Sequence, residues 1–301
     1  DAKVGTTGKG IGPTYTDKIS RNGVRVGDIL HDFDNKYAKA KARHEQILKS
    51  LNFTYDLTTV EKEWLEAIEY LKQFQFVDSE HEINRLLDDD KSILAEGAQG
   101  TMLDIDFGSY PFVTSSNTVC AGACTGLGVA PHRIGEVYGI FKAYCTRVGA
   151  GPFPTELFDE TGDYIRNAGG EFGTVTGRPR RTGWFDAVVA RYAVRVNGLT
   201  DVVINKIDPL RGLPKLKVCV AYKLKNGETV TEFPANFMDL VDCEPVYEEF
   251  DGFDEDITNC RSFEELPATV QSYIKELERI IECPITMLGV GPARDQVMTI
   301  K

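Results

Sequence analysis

Two short segments of the chain carry the residue types with the clearest chemistry. The first is the glycine-containing run Gly173-Thr174-Val175-Thr176-Gly177-Arg178-Pro179-Arg180-Arg181, which places its arginines close together. A guanidinium group is planar and can donate two parallel hydrogen bonds to a phosphate or a carboxylate, so the run predicts an anion-binding loop. A solvated surface or a cluster of ion pairs is the alternative for the same residues.

The second segment is Asn205-Lys206-Ile207-Asp208, which follows the apolar run Val202-Val203-Ile204. Such a run is typical of a buried strand, and ligands of open α/β sheets collect where parallel strands end. A carboxylate there can accept hydrogen bonds from both N1–H and the exocyclic amine of guanine, whereas adenine offers no such pair of donors on that edge. Asp208 is therefore a candidate for reading guanine, with Lys206 packing on the base, and a chance match of a short motif is the alternative.

Composition narrows the class of protein. The chain has 301 residues and a formal net charge of −12, which opposes nonspecific binding to nucleic acid or to anionic membranes. It lacks an apolar run of the ~20 residues that would span a bilayer. Its cysteines lack paired C-x-x-C spacing and its histidines are scattered, so the composition predicts a cytoplasmic protein with reduced thiols and no metal site of its own.

Helical and strand patterns alternate along the chain without repeats or an obvious linker. Helices are predicted over residues 35–50, 59–74 and 184–196, and from a capping box at Ser262-Phe263-Glu264-Glu265 to residue 281. Strands are predicted over residues 93–95, 137–143, 201–205, 216–222 and 285–288, with a hairpin turn at Asn226-Gly227. This alternation predicts an α/β fold with a large, mostly parallel central sheet flanked by helices and with small antiparallel hairpin subdomains. The predicted organisation is one domain over residues 1–301, with a helical subregion at 34–90.

Five motifs occur in order along the chain: residues 5–15 with Lys18 and Arg21, residues 96–101, 110–117 and 146–156, and the arginine run with Gly183-Trp184. Together they resemble those of adenylosuccinate synthetase over essentially the whole chain. The resemblance implies a ligase that uses GTP and Mg²⁺ to join L-aspartate to IMP, giving adenylosuccinate, GDP and phosphate in purine biosynthesis. Phosphoryl transfer depends mainly on positioning and charge neutralisation, which suits the residues found.

The resemblance also implies roles for residues at matching positions. The implied IMP contacts are Thr7, Gln99, Thr114 and Arg178, together with Arg21, which would reach the neighbouring subunit's site in a homodimer. The implied aspartate-binding residues are Thr174, Val175, Thr176, Gly177, Arg178 and Arg180. The implied GTP contacts are Arg180, Lys206, Ile207, Asp208, Gly289, Val290 and Gly291. Gln99 and Lys18 are the candidate catalytic residues, Lys18 in a positioning role.

The sequence departs from the family pattern in two places. Val175 stands where the family often has a second threonine, which removes one hydroxyl contact to aspartate. The family's opening G-D-E-G-K-G-K loop and its nearby histidine do not occur here, and the resemblance assigns to that segment the general-base aspartate, the catalytic histidine and most ligands of Mg²⁺. The expectation is therefore a C-terminal portion of a synthetase that is inactive alone. The alternative is a non-catalytic fragment that binds guanine nucleotide and IMP and dimerises.

Overall fold

The computed structural model describes residues 8–173 and 177–300. The chain divides into two compact units, one over residues 7–94 and the other formed by residues 1–6 and 95–301. The organisation as one domain over 1–301 stays a prediction.

Four α-helices make up the described part of the unit over residues 7–94: α1 (Ile11–Ile19), α2 (Phe33–Ser50), α3 (Thr58–Leu71) and α4 (Ser79–Asp88). The helices predicted at 35–50 and 59–74 are confirmed as α2 and α3. These two pack through aromatic rings, with the centroid of Trp64 5.5 Å from that of Phe33 and 5.0 Å from that of Tyr37. The hydroxyl of Tyr37 donates to the carboxylate of Glu61 at 2.7 Å, which fixes the same pair of helices with a polar contact.

The second unit is of mixed α/β type. Its helices are α5 (Ala121–Leu127), α6 (Glu160–Ala168), α7 (Ala187–Asn197) and α8 (Ala268–Ile281). Its strands are β1 (Tyr138–Lys142), β2 (Cys145–Arg147), β3 (Arg181–Gly183), β4 (Phe185–Asp186), β5 (Asp201–Asn205), β6 (Lys215–Lys223), β7 (Thr229–Val230), β8 (Glu244–Asp251), β9 (Ile285–Gly289) and β10 (Val297–Thr299).

The strands form one parallel-rich sheet and two antiparallel assemblies. The main sheet has the order β1-β5-β9-β10, in which β1, β5 and β9 are parallel and β10 is antiparallel to β9. Strand β6 pairs parallel with β4 and antiparallel with both β7 and β8, while β2 and β3 form an antiparallel pair. The predicted α/β fold with a mostly parallel sheet and antiparallel hairpins is confirmed.

Two local predictions are wrong. Residues 93–95 form no strand, and Leu94 is 94% exposed, so its apolar side chain has no neighbouring strand or helix to pack against. The predicted capping box is absent, since the side chain of Ser262 makes no capping hydrogen bond. The carboxylate of Glu265 accepts a hydrogen bond from the backbone N–H of Arg261 at 2.7 Å. Helix α8 begins after Pro267, whose fixed φ suits a helix start, and it ends at residue 281 as predicted.

A buried carboxylate begins α7. Asp186 accepts hydrogen bonds from the backbone N–H groups of Val188 and Val189 at 3.1 and 3.2 Å, which caps the helix. It also accepts a hydrogen bond from the hydroxyl of Tyr222 at 2.6 Å. Burial nevertheless raises the pKa of Asp186 to about 6, because desolvation outweighs these hydrogen bonds.

The raised pKa of Asp186 makes folding stability depend on pH. The folded state binds this proton more tightly than the unfolded state, so the contribution is complete below the ordinary value of 3.8 and is lost as the pH rises through about 6. We predict that Asp186→Asn, which keeps a capping oxygen, removes about 3 kcal/mol of the pH-dependent change in unfolding free energy. Urea unfolding between pH 4 and 7 measures it, and equal pH slopes for the two proteins would contradict it.

Candidate functional site

Three strand ends meet at one edge of the main sheet. Parallel pairing sets Lys142 at the end of β1 opposite Asn205 at the end of β5, and sets Ile204 opposite Leu288 of β9. The residues that follow these strands therefore emerge together, at the edge where ligands of α/β sheets bind. The prediction that residues 205–208 follow a buried strand is confirmed.

The chain turns sharply after β5. Lys206 has a φ of 64°, a left-handed conformation that is uncommon outside glycine. Its Nζ donates to the backbone carbonyl of Gly169 at 3.1 Å, and the Ile207 side chain beside it is fully buried. These contacts fix the turn and hold the next residue, Asp208, at the sheet edge.

Asp208 is a half-buried carboxylate with unused acceptor capacity. It begins a 3₁₀ turn, Asp208–Leu210, whose other two residues are buried. Burial raises its pKa, and the charge of Lys206 lowers it by less. Within the described part of the chain, only its own backbone N–H donates to this carboxylate. A ligand with paired N–H donors would supply the hydrogen bonds that the protein does not.

The backbone after β9 lies against the same turn. A β-carbon on residue 289 would lie 2.2 Å from Oδ1 of Asn205, so only glycine permits this close approach of the ends of β5 and β9. The next residue, Val290, is fully buried, and its N–H donates to the carbonyl of Gln296 at 2.9 Å. The structure thus brings Gly289 close to Asn205, the residue before the Lys206 turn, and the assignment of both segments to one ligand stays a prediction.

The arginine run begins in a segment whose described residues on either side of 174–176 pair with each other. Phe172 and Pro179 form an antiparallel bridge, and the N–H of Arg180 donates to the carbonyl of Glu171 at 2.9 Å. Gly177 has a φ of 62°, which glycine adopts without strain. The aspartate-loop residues Thr174, Val175 and Thr176 lie outside the described residues.

Glu171 is the buried centre of this site. Its side chain is 1% exposed and accepts hydrogen bonds from Lys142 Nζ at 2.8 Å, from the Tyr144 hydroxyl at 2.7 Å and from Arg180 Nη1 at 2.7 Å. Desolvation alone would raise its pKa, but the hydrogen bonds from Lys142 and Tyr144 outweigh it and lower the pKa. Glu171 therefore stays ionised between two cations.

The edge carries a surplus of positive charge. Desolvation lowers the pKa of Lys142, and the nearby charges of Arg180 and Lys206 lower it further, which places these cations close to one another. Three carboxylates, Glu171, Asp208 and Asp256, accompany them among the described groups that contribute to these shifts, and Asp256 is paired with Arg211 at 3.8 Å. An anionic ligand would balance the remaining charge.

The arginines of the run differ in their surroundings. Arg181 forms a bidentate ion pair with Glu156, donates to the carbonyls of Gly149 and Gly151 at 3.2 and 2.9 Å, and packs over the ring of Phe153. For Arg181 the ion-pair alternative therefore holds, because its guanidinium group is bound by the carboxylate of Glu156 within the protein. Arg178 is exposed.

Thr114 lies on a loop held by one buried carboxylate, and Gln99 precedes that loop in the chain. Gln99 is exposed and has a φ of 64°, and the N–H of Thr114 donates to the carbonyl of Leu103 at 2.9 Å. Asp104, which is fully buried, accepts backbone hydrogen bonds from residues 106 and 107 at 2.9 Å and from residues 118 and 119 at 2.6 and 3.1 Å. This carboxylate closes the loop from residue 104 to residue 119 around itself.

We predict that Asp104→Asn destabilises the fold by about 3 kcal/mol, because an amide NH₂ would then face two backbone N–H groups and leave them unsatisfied. Urea unfolding measures the loss. Asp106→Asn is the matched control, since its exposed carboxylate accepts a single side-chain hydrogen bond from Asn117 at 2.7 Å. Equal losses for the two variants would show that Asp104 does not organise the loop.

Lys18 and Arg21 belong to the other unit, at the end of α1. Lys18 is exposed, with Nζ 5.4 Å from the ring centroid of Tyr15, and Arg21 is exposed with a φ of 63°. Asp17 binds α2 through Arg43 at 2.9 Å and His44 at 2.7 Å, so these two residues follow a helix that is itself anchored. Thr7 lies outside the described residues.

A groove of about 860 Å³ in the helical unit contains none of the predicted site residues. It is lined by side chains of α2 and α3 and of the turn before them, including Phe33, Glu61 and Leu65. Glu61 is already engaged by Lys41 and Tyr37. Since the cations and the open carboxylate lie at the sheet edge instead, the groove is not the candidate site.

Neither a membrane-spanning helix nor a cluster of metal ligands occurs in the described residues. None of their helices is both long enough and apolar enough to cross a membrane. Within residues 8–173 and 177–300, no group of at least three His, Cys, Asp or Glu side chains is arranged to hold a metal ion.

Sequence reasoning missed the residues at the centre of the site: Glu171, Lys142 and Tyr144. Their partners come from separate elements, since Lys142 and Tyr144 flank the end of β1 and Glu171 follows α6. No spacing in the sequence reveals this contact. The one available signal was a lysine that ends a predicted strand of a parallel sheet.

The fold defines a mixed α/β protein whose parallel strands end beside Lys142, Arg180 and Lys206, and comparison with known proteins gives the family. Residues 1–298 match the adenylosuccinate synthetase family. The chain is 65% identical over 298 residues to adenylosuccinate synthetase of Bacteroides fragilis, covering 99% of this chain and 70% of that protein. It is 56% identical to the enzyme of Porphyromonas gingivalis, with 98% and 70% covered.

A solved structure similar to this chain belongs to the same family. The fully ligated adenylosuccinate synthetase of Plasmodium falciparum superposes with a TM-score of 0.93 at 39% identity, covering 99% of this chain and 71% of that one. The chain belongs to the adenylosuccinate synthetase family, whose members are ligases of purine biosynthesis, and it spans about 70% of the length of the relatives it matches.

Proposed function

We propose that the protein, as a cytoplasmic homodimer, uses GTP to join L-aspartate to IMP, giving adenylosuccinate, GDP and phosphate. The observation that carries the proposal is the half-buried Asp208 carboxylate, to which no other described residue donates, beside the cations of the same sheet edge. Family membership supports the reaction. Neither nucleic acid nor membrane is a proposed partner, in keeping with the net charge of −12.

Guanine is the base that this edge favours. Asp208 can accept hydrogen bonds from N1–H and from the exocyclic amine, while the stem of Lys206 packs on the ring and the backbone from Gly289 to Gly291 covers the other side. The lack of a side chain at Gly289, where a β-carbon would lie 2.2 Å from Oδ1 of Asn205, lets the backbone approach closely at this edge. Adenine would leave the half-buried carboxylate without donors, at a cost of several kcal/mol.

The proposed reaction needs charge neutralisation and positioning. The γ-phosphoryl group of GTP passes to the 6-oxygen of IMP, and the aspartate amine then displaces that phosphate to form the C–N bond. Arg180 would bind GTP, and Arg178 would bind the aspartate carboxylate and contact IMP, because planar guanidinium groups match these oxygens. Thr174, Val175, Thr176 and Gly177 would complete the aspartate loop.

IMP would be held by residues from several segments of the chain. Gln99 and Thr114 would contact it, with Gln99 as a candidate catalytic residue. Thr7 would also bind it, and Lys18 would have a positioning role. Arg21 would reach the IMP of the neighbouring subunit, so that each site would be complete only in the homodimer.

Magnesium is expected from the family, because Mg²⁺ commonly bridges nucleotide phosphates. The described residues do not by themselves fit a resident metal, since no group of three or more ligating side chains is arranged for one within residues 8–173 and 177–300. The roles proposed above therefore use only side chains of this chain.

We predict that Asp208→Asn weakens binding of guanosine about 100-fold, because an amide NH₂ would replace one acceptor and oppose the donors of the base. Isothermal titration calorimetry with guanosine and adenosine measures the change. Asp256→Asn is the matched control, because its charge is felt by Asp208 but its side chain is 52% exposed and paired with Arg211. Equal affinities of wild type and Asp208→Asn for guanosine would refute the guanine assignment.

The same base recognition should depend on pH. Since the pKa of Asp208 is raised, its carboxylate takes up a proton at a higher pH than an ordinary aspartate. We predict that the guanosine affinity of the wild type falls as the pH is lowered through this pKa, while that of Asp208→Asn stays level. A wild-type affinity independent of pH down to the ordinary value of 3.8 would contradict a role for the ionised carboxylate.

We predict that Arg178→Ala raises the KM for aspartate at least about tenfold and leaves the KM for GTP within about twofold, since one bidentate carboxylate contact is lost. Steady-state formation of adenylosuccinate by the protein at its natural length measures both constants. Arg195→Ala is the control, because Arg195 is 71% exposed and pairs only with an exposed glutamate, Glu232. An unchanged KM for aspartate would remove Arg178 from the aspartate site.

A further inference from the structure

Glu171 lies beside the proposed nucleotide site but is closed to any ligand. Its side chain is 1% exposed, and both carboxylate oxygens accept hydrogen bonds from other side chains of the protein. Asp208, by contrast, is half-buried and receives no hydrogen bond from another described residue. The two acidic residues of this edge therefore have different tasks, and Glu171 can act only through its neighbours.

Arg180 is held to Glu171 twice. Its backbone N–H donates to the Glu171 carbonyl at 2.9 Å, and its Nη1 donates to the Glu171 carboxylate at 2.7 Å. Its carbonyl also accepts a hydrogen bond from Arg166 Nε at 2.8 Å. Among the described residues, nothing engages Nε or Nη2 of Arg180. The guanidinium group is thus clamped by one nitrogen, with its other donors left for a ligand.

Lys142 shares the same carboxylate. Its Nζ lies 2.8 and 2.9 Å from the two oxygens of Glu171, and it also donates to Thr146 Oγ1 at 3.0 Å. Lys142 and Arg180 repel each other, and the carboxylate between them offsets that repulsion. Lys206 reaches the same segment through the carbonyl of Gly169, two residues before Glu171.

We propose that Glu171 is a positioning residue for the nucleotide. By holding Arg180 and Lys142 together beside Lys206, it sets the positively charged edge that binds the phosphates of a guanine nucleotide. This inference rests on the proposed nucleotide function. Glu171 itself would not touch the nucleotide, and it would act by holding in place the cations that bind the phosphates.

The test compares GDP with guanosine by isothermal titration calorimetry. Glu171→Gln should weaken GDP binding about tenfold, because a neutral amide cannot hold two cations in place, and should leave guanosine binding within about twofold, since Asp208 is unchanged. In an Arg180→Ala background the same substitution should have less than half of that effect on GDP, because its main target is gone. Equal loss of GDP and guanosine affinity would show general damage and overturn the proposal.

Glu156→Gln is the matched control. Glu156 is a carboxylate of 12% side-chain exposure that pairs with Arg181, the neighbour of Arg180 in the chain, and it has no contact with Lys142, Lys206 or Arg180. It should lower stability without changing the ratio of GDP to guanosine affinity. A change in that ratio as large as that of Glu171→Gln would overturn the specific role of Glu171.

A milder variant covers the case in which Glu171→Gln does not fold. Tyr144→Phe removes one hydrogen bond to Glu171 and keeps the buried ring, and it should weaken GDP about two- to threefold while guanosine is unaffected. GDP affinity equal to wild type would then overturn the proposal. Failure of the proposed function looks different, because the wild type itself would then bind guanosine no better than adenosine.

Discussion

The structure of the site depends on the parallel register of β1, β5 and β9. That register brings the ends of all three strands to one edge and so places Lys142, the Lys206 turn and the backbone at Gly289 side by side. The sheet can hold this arrangement because its strands are buried and apolar, with Val202, Ile204, Ile285 and Leu288 each fully enclosed. A shift of one residue in β5 would turn Asn205 and Asp208 away from their present neighbours.

Buried acidic residues then define the local chemistry, and their partners decide what each one does. Asp104 accepts hydrogen bonds from backbone N–H groups and closes a loop. Asp186 caps a helix, and its burial raises its pKa. Glu171 is satisfied by cations and arranges them. Asp208 alone among these four keeps acceptors free of other described residues, which is why base recognition is assigned to it.

Local sequence signals predicted the elements well where packing agrees with them. The continuous apolar run before Asn205 predicted the buried strand β5. The apolar residues at three-to-four spacing around Trp64 predicted the helix α3. Residues 93–95 look like a strand by composition, yet nothing pairs with them in the described structure. Propensity was therefore overruled by the absence of a partner.

The charged centre of the site could not be predicted in this way. Glu171 receives Lys142 from 29 residues away and Arg180 from 9 residues away, and Arg181 pairs with Glu156 at a separation of 25 residues. Neighbouring arginines in one run thus pair with different internal carboxylates, Arg180 with Glu171 and Arg181 with Glu156. Only the register of the extended segment separates them, since alternate residues of an extended chain point to opposite faces.

The most direct measurement is a crystal structure of the protein with GDP. The account predicts that N1 and the exocyclic amine of guanine each lie about 3 Å from the carboxylate of Asp208, with nucleotide oxygens against the free donors of Arg180. A base bound elsewhere, with the Asp208 carboxylate facing solvent, would contradict the account.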